Sequence, residues 1–464
     1  MKHLARIYNL TEGSIIKKLF YVALPVLLLS LSQMAYNLTD IFWVGHVELI
    51  GIVESQAISA VGTAAYITWF AFGIIMIGRI GTSVKVAHSV GENKTDRLAG
   101  YAENGLILQA ILGLFFSVVV VVFRRQIISI FNIGNENVVE YTVNYLAIVG
   151  SFLFVQFLTY GFVAINDGVG KTMTNFLIML IGIVVNMILD PLFILVLRMG
   201  VSGAALATVI GQIITLVAFV FLYAKKNKMF RFRLSAFRKK YLLEIVKIGL
   251  PTGLQSMLFT SISIFIARMV YEYGEYVVAA QRVGVQIEQL TWMIAGGFQT
   301  ALTVFVAQNF GARLHGRIRK GFGIMSGLLL PYAAAVALCL YFFSDFLLGI
   351  FISDPVSLSY GVAYLKIISL AQIFMMMEAI GTGLYNGVGK TYIPSIIGIV
   401  GNVLRIPLAI ELVKVIDENG IWWSLNISDM FKGAILYAGS LILLAFLERI
   451  KLNKKQNRQL VEET

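Results

Sequence analysis

Charge and cysteine are what this chain has least of. Only 13% of its 464 residues are Asp, Glu, Lys or Arg, and it holds one cysteine, four histidines and seven prolines. A single cysteine excludes a disulfide framework and any cysteine-rich metal site. Cys339 stands inside an apolar run and reads as a small packed hydrophobe. So little charge also excludes an ordinary soluble domain, in which about a quarter of residues are charged. What fills the space is apolar: 58% of residues are hydrophobic and the mean hydropathy is +0.82. This is the composition of an integral membrane protein.

A bilayer crossing needs about 20 apolar residues. Twelve such runs are present, near 19–44, 57–78, 101–123, 141–165, 173–197, 201–224, 243–268, 277–306, 322–343, 359–381, 393–413 and 433–448. With the N-terminus inside, the inner segments carry 27 Lys and Arg, and the outer ones carry five: Arg124, Arg125, Arg198, Lys414 and Lys432. That asymmetry predicts cytoplasmic termini. The net charge of +12 is then topological, and nucleic acid is not an expected partner. The first run is too long for the apolar core of a cleavable signal peptide.

One pentapeptide occurs twice, in "DGVGKT" at 167–172 and "NGVGKT" at 386–391. A phosphate-binding loop needs G-x-x-x-x-G-K-[ST], its first glycine closing the turn around the phosphate. Ile165 and Leu384 hold that position, which argues against a nucleotide site. Duplication explains the pair instead. "VAHSVGENKTDRL" at 86–98 lies over "VAQNFGARLHGRI" at 306–318, and "GIVVNMILDPL" at 182–192 over "GIVGNVLRIPL" at 398–408, at nearly one shift and in the same order. The predicted fold is therefore an all-α integral membrane protein with twelve transmembrane helices. They form two six-helix bundles related by pseudo-two-fold symmetry along the membrane normal. The expected layout is an N-terminal lobe at 1–224, a basic cytoplasmic linker at 225–242, a C-terminal lobe at 243–448 and a cytoplasmic tail at 449–464. GVGKT becomes a tight turn after the fourth run of each half, with Lys171 and Lys390 at the level of lipid phosphates. Parallel repeats of this kind are transporter architecture, with substrate expected near mid-membrane between the halves.

Ionisable residues inside a membrane are functional candidates by default. Asp40 in the first run and Asp190 in the fifth have no acidic counterpart in the second half, where Ile266 and Ile406 stand. Asn37 precedes Asp40 by three residues and Asn186 precedes Asp190 by four, so each acid shares a helix face with an amide. Carboxylate and amide oxygens together suit Na⁺ or a proton; a purely structural hydrogen-bonding role is the alternative. Pro191 predicts a bend beside Asp190. In the second half Gln281 and Glu288 share a face of the eighth run, with Arg282, Gln286 and Gln289 adjoining. Glu378 follows Met375, Met376 and Met377, and Arg405 lies in the eleventh run. One reading pairs Glu288 or Glu378 with Arg405 or Arg282. The other has Tyr36, Gln281, Glu288, Met376 and Glu378 contacting substrate, the methionines lending an adaptable surface.

The order of "ALPVLLLSLSQMAYNLTDIFWVG", "GVGKTMTNFLIMLIGIVVNMILDPLFI" and "NVLRIPLAI" resembles the multidrug and toxic compound extrusion (MATE) family over essentially the whole chain. The resemblance implies a Na⁺- or H⁺-coupled antiporter that exports lipophilic, often cationic, compounds by alternating access. It implies no enzyme activity and no cofactor beyond the coupling ion. The expected partners are small lipophilic substrates and membrane lipids, with a monomer in the plasma membrane. In archaeal and related bacterial members the cation ligands of the N-terminal lobe match Asp40, Asn186, Asp190 and Thr208, the candidate Na⁺ site. A further family Asn falls at Tyr160, and the acid that another branch carries on its seventh helix falls at Phe259. Two alternatives stand beside this one: a lipid or saccharide flippase of the same superfamily, and, more remotely, an intramembrane aspartyl protease, whose G-x-G-D signature is absent.

Overall fold

The computed structural model describes residues 9–226 and 237–462. Residues 227–236 of the expected linker, and the side chains of the tail, lie outside the described residues. Among the described residues every regular element is helical, because a hydrocarbon environment leaves backbone N–H and C=O groups no partners except one another. In chain order the helices are α1 Ile15–Gly45, α2 Glu54–Gly91, α3 Thr95–Ser129, α4 Glu136–Ser151, α5 Leu153–Gly168, α6 Thr172–Pro191, α7 Val201–Lys226, α8 Lys239–Tyr271, α9 Glu275–Gly311, α10 His315–Phe342, α11 Ser344–Gly349, α12 Pro355–Ser369, α13 Gln372–Gly387, α14 Tyr392–Ile416 and α15 Asn419–Glu462. Among them ten spans are long and apolar enough to cross a membrane alone. The pairs α4–α5 and α12–α13, bent by 47° and 46°, bring the crossings to twelve.

Local geometry repeats between the halves as the sequence does. Both GVGKT segments close a helix with the same pair of bonds: Lys171 N–H to Asn166 O and Gly170 N–H to Asp167 O, then Lys390 N–H to Tyr385 O and Gly389 N–H to Asn386 O. Gly170 and Gly389 have φ of 79° and 82°, where a side chain would be strained. The N–H groups of Gly170 and Lys171, which a phosphate loop would turn toward a ligand, are used here to finish α5. The turn is a helix stop, inherited twice. Asn93 and Arg313, equivalent in the repeat, likewise share a left-handed conformation with φ of 57° and 60°.

The chain sorts into two compact units, one of residues 24–90 and 94–257, the other of residues up to Ala23 with 91–93 and 258–464. In the first, glycines bring helices into backbone contact, as small residues do where lipid supplies no hydrophobic drive. A Cβ at Gly249 of α8 would lie 1.7 Å from Ile77 O of α2, and one at Gly182 of α6 would lie 2.0 Å from Thr215 Oγ1 of α7. In the second, Leu10 is buried and both its backbone groups are held: its N–H donates to Gln308 Oε1 at 3.0 Å, and its carbonyl accepts from Asn309 and Arg317. Trp422 and Tyr364 meet edge to face within a core that includes Leu348 and Ile421.

Two sequence expectations fail here. Cys339 is exposed on α10, beside exposed Leu338 and Phe342. A helix in lipid is apolar on its outer face as well, so an apolar run does not place a residue inside. Lys432 is not in an outer segment: α15 starts at Asn419 and buries it.

Candidate functional site

Three helices of the first half bring the predicted carboxylates together. α6 and α7 cross closely enough that a Cβ at Gly211 would lie 2.7 Å from Gly182 O and 3.2 Å from Asn186 Cβ. That approach sets the Asn186 amide against Thr208, Nδ2 donating to Oγ1 at 3.4 Å. From α1, Tyr36 brings its hydroxyl to 3.3 Å from the same Thr208 Oγ1. Tyr145 of α4 lies beside the same threonine. Thr208 thus gathers the Tyr36 and Asn186 side chains, whereas a membrane threonine usually serves only its own backbone. The bend expected at Pro191 takes the form of a widened turn over Leu192–Val196, closed by Leu197 N–H to Leu192 O at 2.8 Å. Proline has no N–H to continue the ladder, and π turns of this kind favour functional positions.

Asp190 is completely buried, and Asp40 and Asn186 nearly so. The charges of Asp40 and Asp190 act on each other and on the phenols of Tyr36 and Tyr145. Neither carboxylate has an ion-pair partner among the described residues. Asp40 Oδ1, both oxygens of Asp190 and Asn186 Oδ1 are buried without a hydrogen bond. Buried polar oxygens in proteins are nearly always satisfied, and an unsatisfied set points to a missing ion or proton. Hard oxygen donors with two negative charges fit a hard cation. Among the described residues no three His, Cys, Asp or Glu side chains cluster as a metal site, so the donor set here is mixed, carboxylate with amide and hydroxyl.

One expectation about this site needs correction. Asn37 is exposed and does not join the cluster, because the face of α1 that buries Asp40 carries Tyr36 instead. Tyr36, expected among substrate contacts, reaches Thr208 beside the carboxylates. Tyr160, at the position of the family Asn, lies under the Arg79 guanidinium, 5.3 Å from it. Tyr145 was not foreseen; a tyrosine in an apolar run carries no signal that separates it from packing.

The second half arranges its charge differently. Glu288 accepts from Trp292 Nε1 at 3.0 Å and from the Tyr364 hydroxyl at 2.9 Å, so neither expected arginine holds it. Arg405 pairs with Asp429 at 2.6 Å, and its guanidinium lies over the Phe259 ring. Lys432 joins Asp429 at 2.8 Å and Glu378 at 3.2 Å. Glu378 therefore has a cation, but it is Lys432 rather than Arg405 or Arg282. Arg282 reaches the Tyr271 hydroxyl at 2.7 Å. Met376 is fully buried packing and Gln281 is half-buried, its Oε1 unpartnered. Asp429 carries no sequence signal of a buried site, because the apolar run at 433–448 begins only after it, and an acid and a base three residues apart look like a loop. Their mutual neutralisation is what lets them sit inside a span.

The chain resembles known proteins along nearly its whole length. The family model MatE matches the chain twice, at residues 25–192 and 251–410, once in each half. The "Probable multidrug resistance protein NorM" of Thermotoga maritima is 26% identical over 444 residues, covering 93% of this chain and 92% of the relative. The "Probable multidrug resistance protein YpnP" of Bacillus subtilis is 24% identical over 436 residues, covering 93% and 96%. Among solved structures, an outward-facing "multidrug resistance MATE family transporter of the MOP superfamily" superposes with a TM-score of 0.86 at 20% identity, covering 95% of this chain and 98% of that one. A MOP superfamily transporter from Pyrococcus furiosus gives 0.87 at the same identity, likewise covering 95% and 98%. With two matched repeats, one to each six-crossing half, the chain belongs to the MatE family of membrane transporters.

Proposed function

We propose that this protein is a cation-coupled multidrug antiporter, exporting lipophilic, often cationic, compounds in exchange for Na⁺ or H⁺. The observation that carries the reading is the set of four orphaned buried oxygens on Asp40, Asp190 and Asn186. A carboxylate pair without a fixed counter-ion can take up a cation and give it back, which is what coupling requires. Asp40, Asp190, Asn186 and Thr208 would hold Na⁺; for H⁺, the two carboxylates would carry the proton, with Tyr36, Tyr145 and Asn186 orienting the site through Thr208. The names of the relatives, multidrug resistance and multidrug export proteins, support the substrate class.

The deciding experiment is dye efflux from membrane vesicles under separately imposed Na⁺ and H⁺ gradients. Export that follows one gradient and saturates with dye supports the antiporter. Flux indifferent to both, or confined to an anionic lipid precursor, contradicts it. We place the protein in the plasma membrane with both termini cytoplasmic. A cysteine at exposed Lys320, with Cys339 replaced, should react with impermeant thiol reagents only from the cytoplasmic side.

A further inference from the structure

The first half holds a third buried acid that the carboxylate cluster does not use. Asp167 stands at the end of α5, just before the GVGKT turn, its side chain 5% exposed. One contact of 3.5 Å joins its Oδ2 to Arg79 Nη2, and Asn175 Nδ2 donates to its Oδ1 at 2.8 Å. Asn166 Nδ2 in turn donates to Asn175 Oδ1 at 2.8 Å, and the Tyr223 hydroxyl donates to Asn166 Oδ1 at 2.5 Å. A buried ion pair is a weak source of stability, since an apolar pair of similar volume often does as well. Ionisable groups at membrane depth mark ion routes more often than they brace a fold.

The neighbours of Asp167 lead back to Asp40. Arg79 lies over the ring of Tyr160 at 5.3 Å, and the Tyr160 hydroxyl stands near the Gln33 side chain. Gln33 precedes Asp40 by seven residues on α1, with Tyr36 between them at helical spacing. Tyr160 and Asp167 are again seven apart, on α5. Each such step is two helical turns, about 10 Å. The polar series Asp40, Tyr36, Gln33, Tyr160, Arg79, Asp167 thus covers roughly 20 Å of a hydrocarbon core about 30 Å thick. It ends at the Gly168–Lys171 turn.

Duplication supplies an internal control. At the shifts that align the halves, Asp40, Gln33, Tyr160, Arg79, Asp167 and Asp190 correspond to Ile266, Phe259, Ala379, Gln299, Asn386 and Ile406. All the ionisable members are lost together in the second half. Neutral amides replace the Arg79–Asp167 pair in a turn whose backbone hydrogen bonds are unchanged. The turn therefore does not need the charges; they accompany the carboxylate cluster.

We propose that Asp167 is a second station for the coupling cation, reached from the Gly168–Lys171 turn, and that Arg79 is the tethered cation occupying it between passages. The proposal rests on the antiport reading above. Asp167 exchanges the guanidinium for the arriving ion while Arg79 remains over the Tyr160 ring. If the ion is a proton, an O–H bond forms on Oδ2 as the Arg79 contact breaks, and the same proton leaves as the contact reforms. No net charge stays behind.

The test is transport by the full chain in liposomes. Asp167→Asn should slow gradient-driven dye efflux at least tenfold, leave the half-saturating dye concentration within twofold, and leave carbodiimide labelling of Asp190 protected by the coupling ion at equilibrium. The double variant Arg79→Gln with Asp167→Asn writes the second half's neutral pair into the first and leaves no charge unpaired. It should fold at normal yield and remain slow. Recovery of wild-type rate in the double variant would mean the pair is only structural and would overturn the proposal, as would a transport loss that merely tracks loss of folded protein. Asp190→Asn separates the two readings. If it abolishes coupling while Asp167→Asn transports normally, the second station alone is wrong; if it transports normally itself, both fail.

Discussion

Both halves of this transporter bury charge, and they do opposite things with it. In the first, Asp40 and Asp190 share a cluster with no ion-pair partner among the described residues, and four oxygens there have no hydrogen bond. In the second, Asp429 and Glu378 are held by Arg405 and Lys432, and Glu288 accepts two hydrogen bonds. The Lys432 ammonium, its side chain 4% exposed, bridges two carboxylates as a bound cation would. It cannot leave. Two copies of one six-crossing unit thus carry a permanent counter-charge in one case and an open demand for one in the other. The difference teaches which carboxylates must draw their counter-charge from outside the chain: those that no lysine or arginine holds.

The comparison can be broken most forcibly in the second half. Asp429→Asn strips the shared partner from Arg405 and weakens the hold on Lys432, so it should cost roughly 3–5 kcal/mol, the range for breaking a buried pair. The check is the thermal unfolding midpoint in detergent, alongside Asp190→Asn, which removes an unpaired buried charge and should be neutral or stabilising. Equal losses in both variants would erase the distinction between the halves. A smaller effect is expected from Gly182→Ala. Its Cβ would meet Thr215 Oγ1 at 2.0 Å and Gly211 O lies beyond, so α6 and α7 must separate and carry Asn186 away from Thr208. Efflux should fall several-fold with normal expression, whereas Gly323→Ala, with open space around it, should change nothing. The smallest effect belongs to Arg282→Ala. Its one bond, to the Tyr271 hydroxyl, is exposed, and neither midpoint nor efflux should move measurably.

Much of the fold was legible in the sequence because lipid imposes a simple code. Apolar length marks crossings, and the repeated GVGKT marks a helix stop that only glycine makes cheaply. Asp40 and Asp190 stand out for the same reason: an isolated carboxylate in an apolar run is costly to bury and is a functional candidate by default. Asp429 and Lys432 were hidden by being neutralised, since acid and base at i and i+3 look like a loop and shorten the apparent run. Asp167 is buried beside the GVGKT turn, yet the motif draws attention to its backbone rather than to the side chain before it. Cys339 shows the reverse limit, as lipid-facing and core positions are equally apolar. The bends at α4–α5 and α12–α13 have no proline at the break to announce them.

The proposed coupling turns first on Asp190. The variant Asp190→Asn keeps shape and hydrogen-bonding capacity but removes one of the two unpaired charges. Measured in vesicles at matched protein amount, with Na⁺ and H⁺ gradients imposed separately, it should retain dye binding and lose gradient-driven efflux, and Asp40→Asn should behave alike because the two acids form one cluster. Efflux equal to wild type, with the same response to Na⁺ and to pH, would contradict the assignment of the exchangeable charge to the first half.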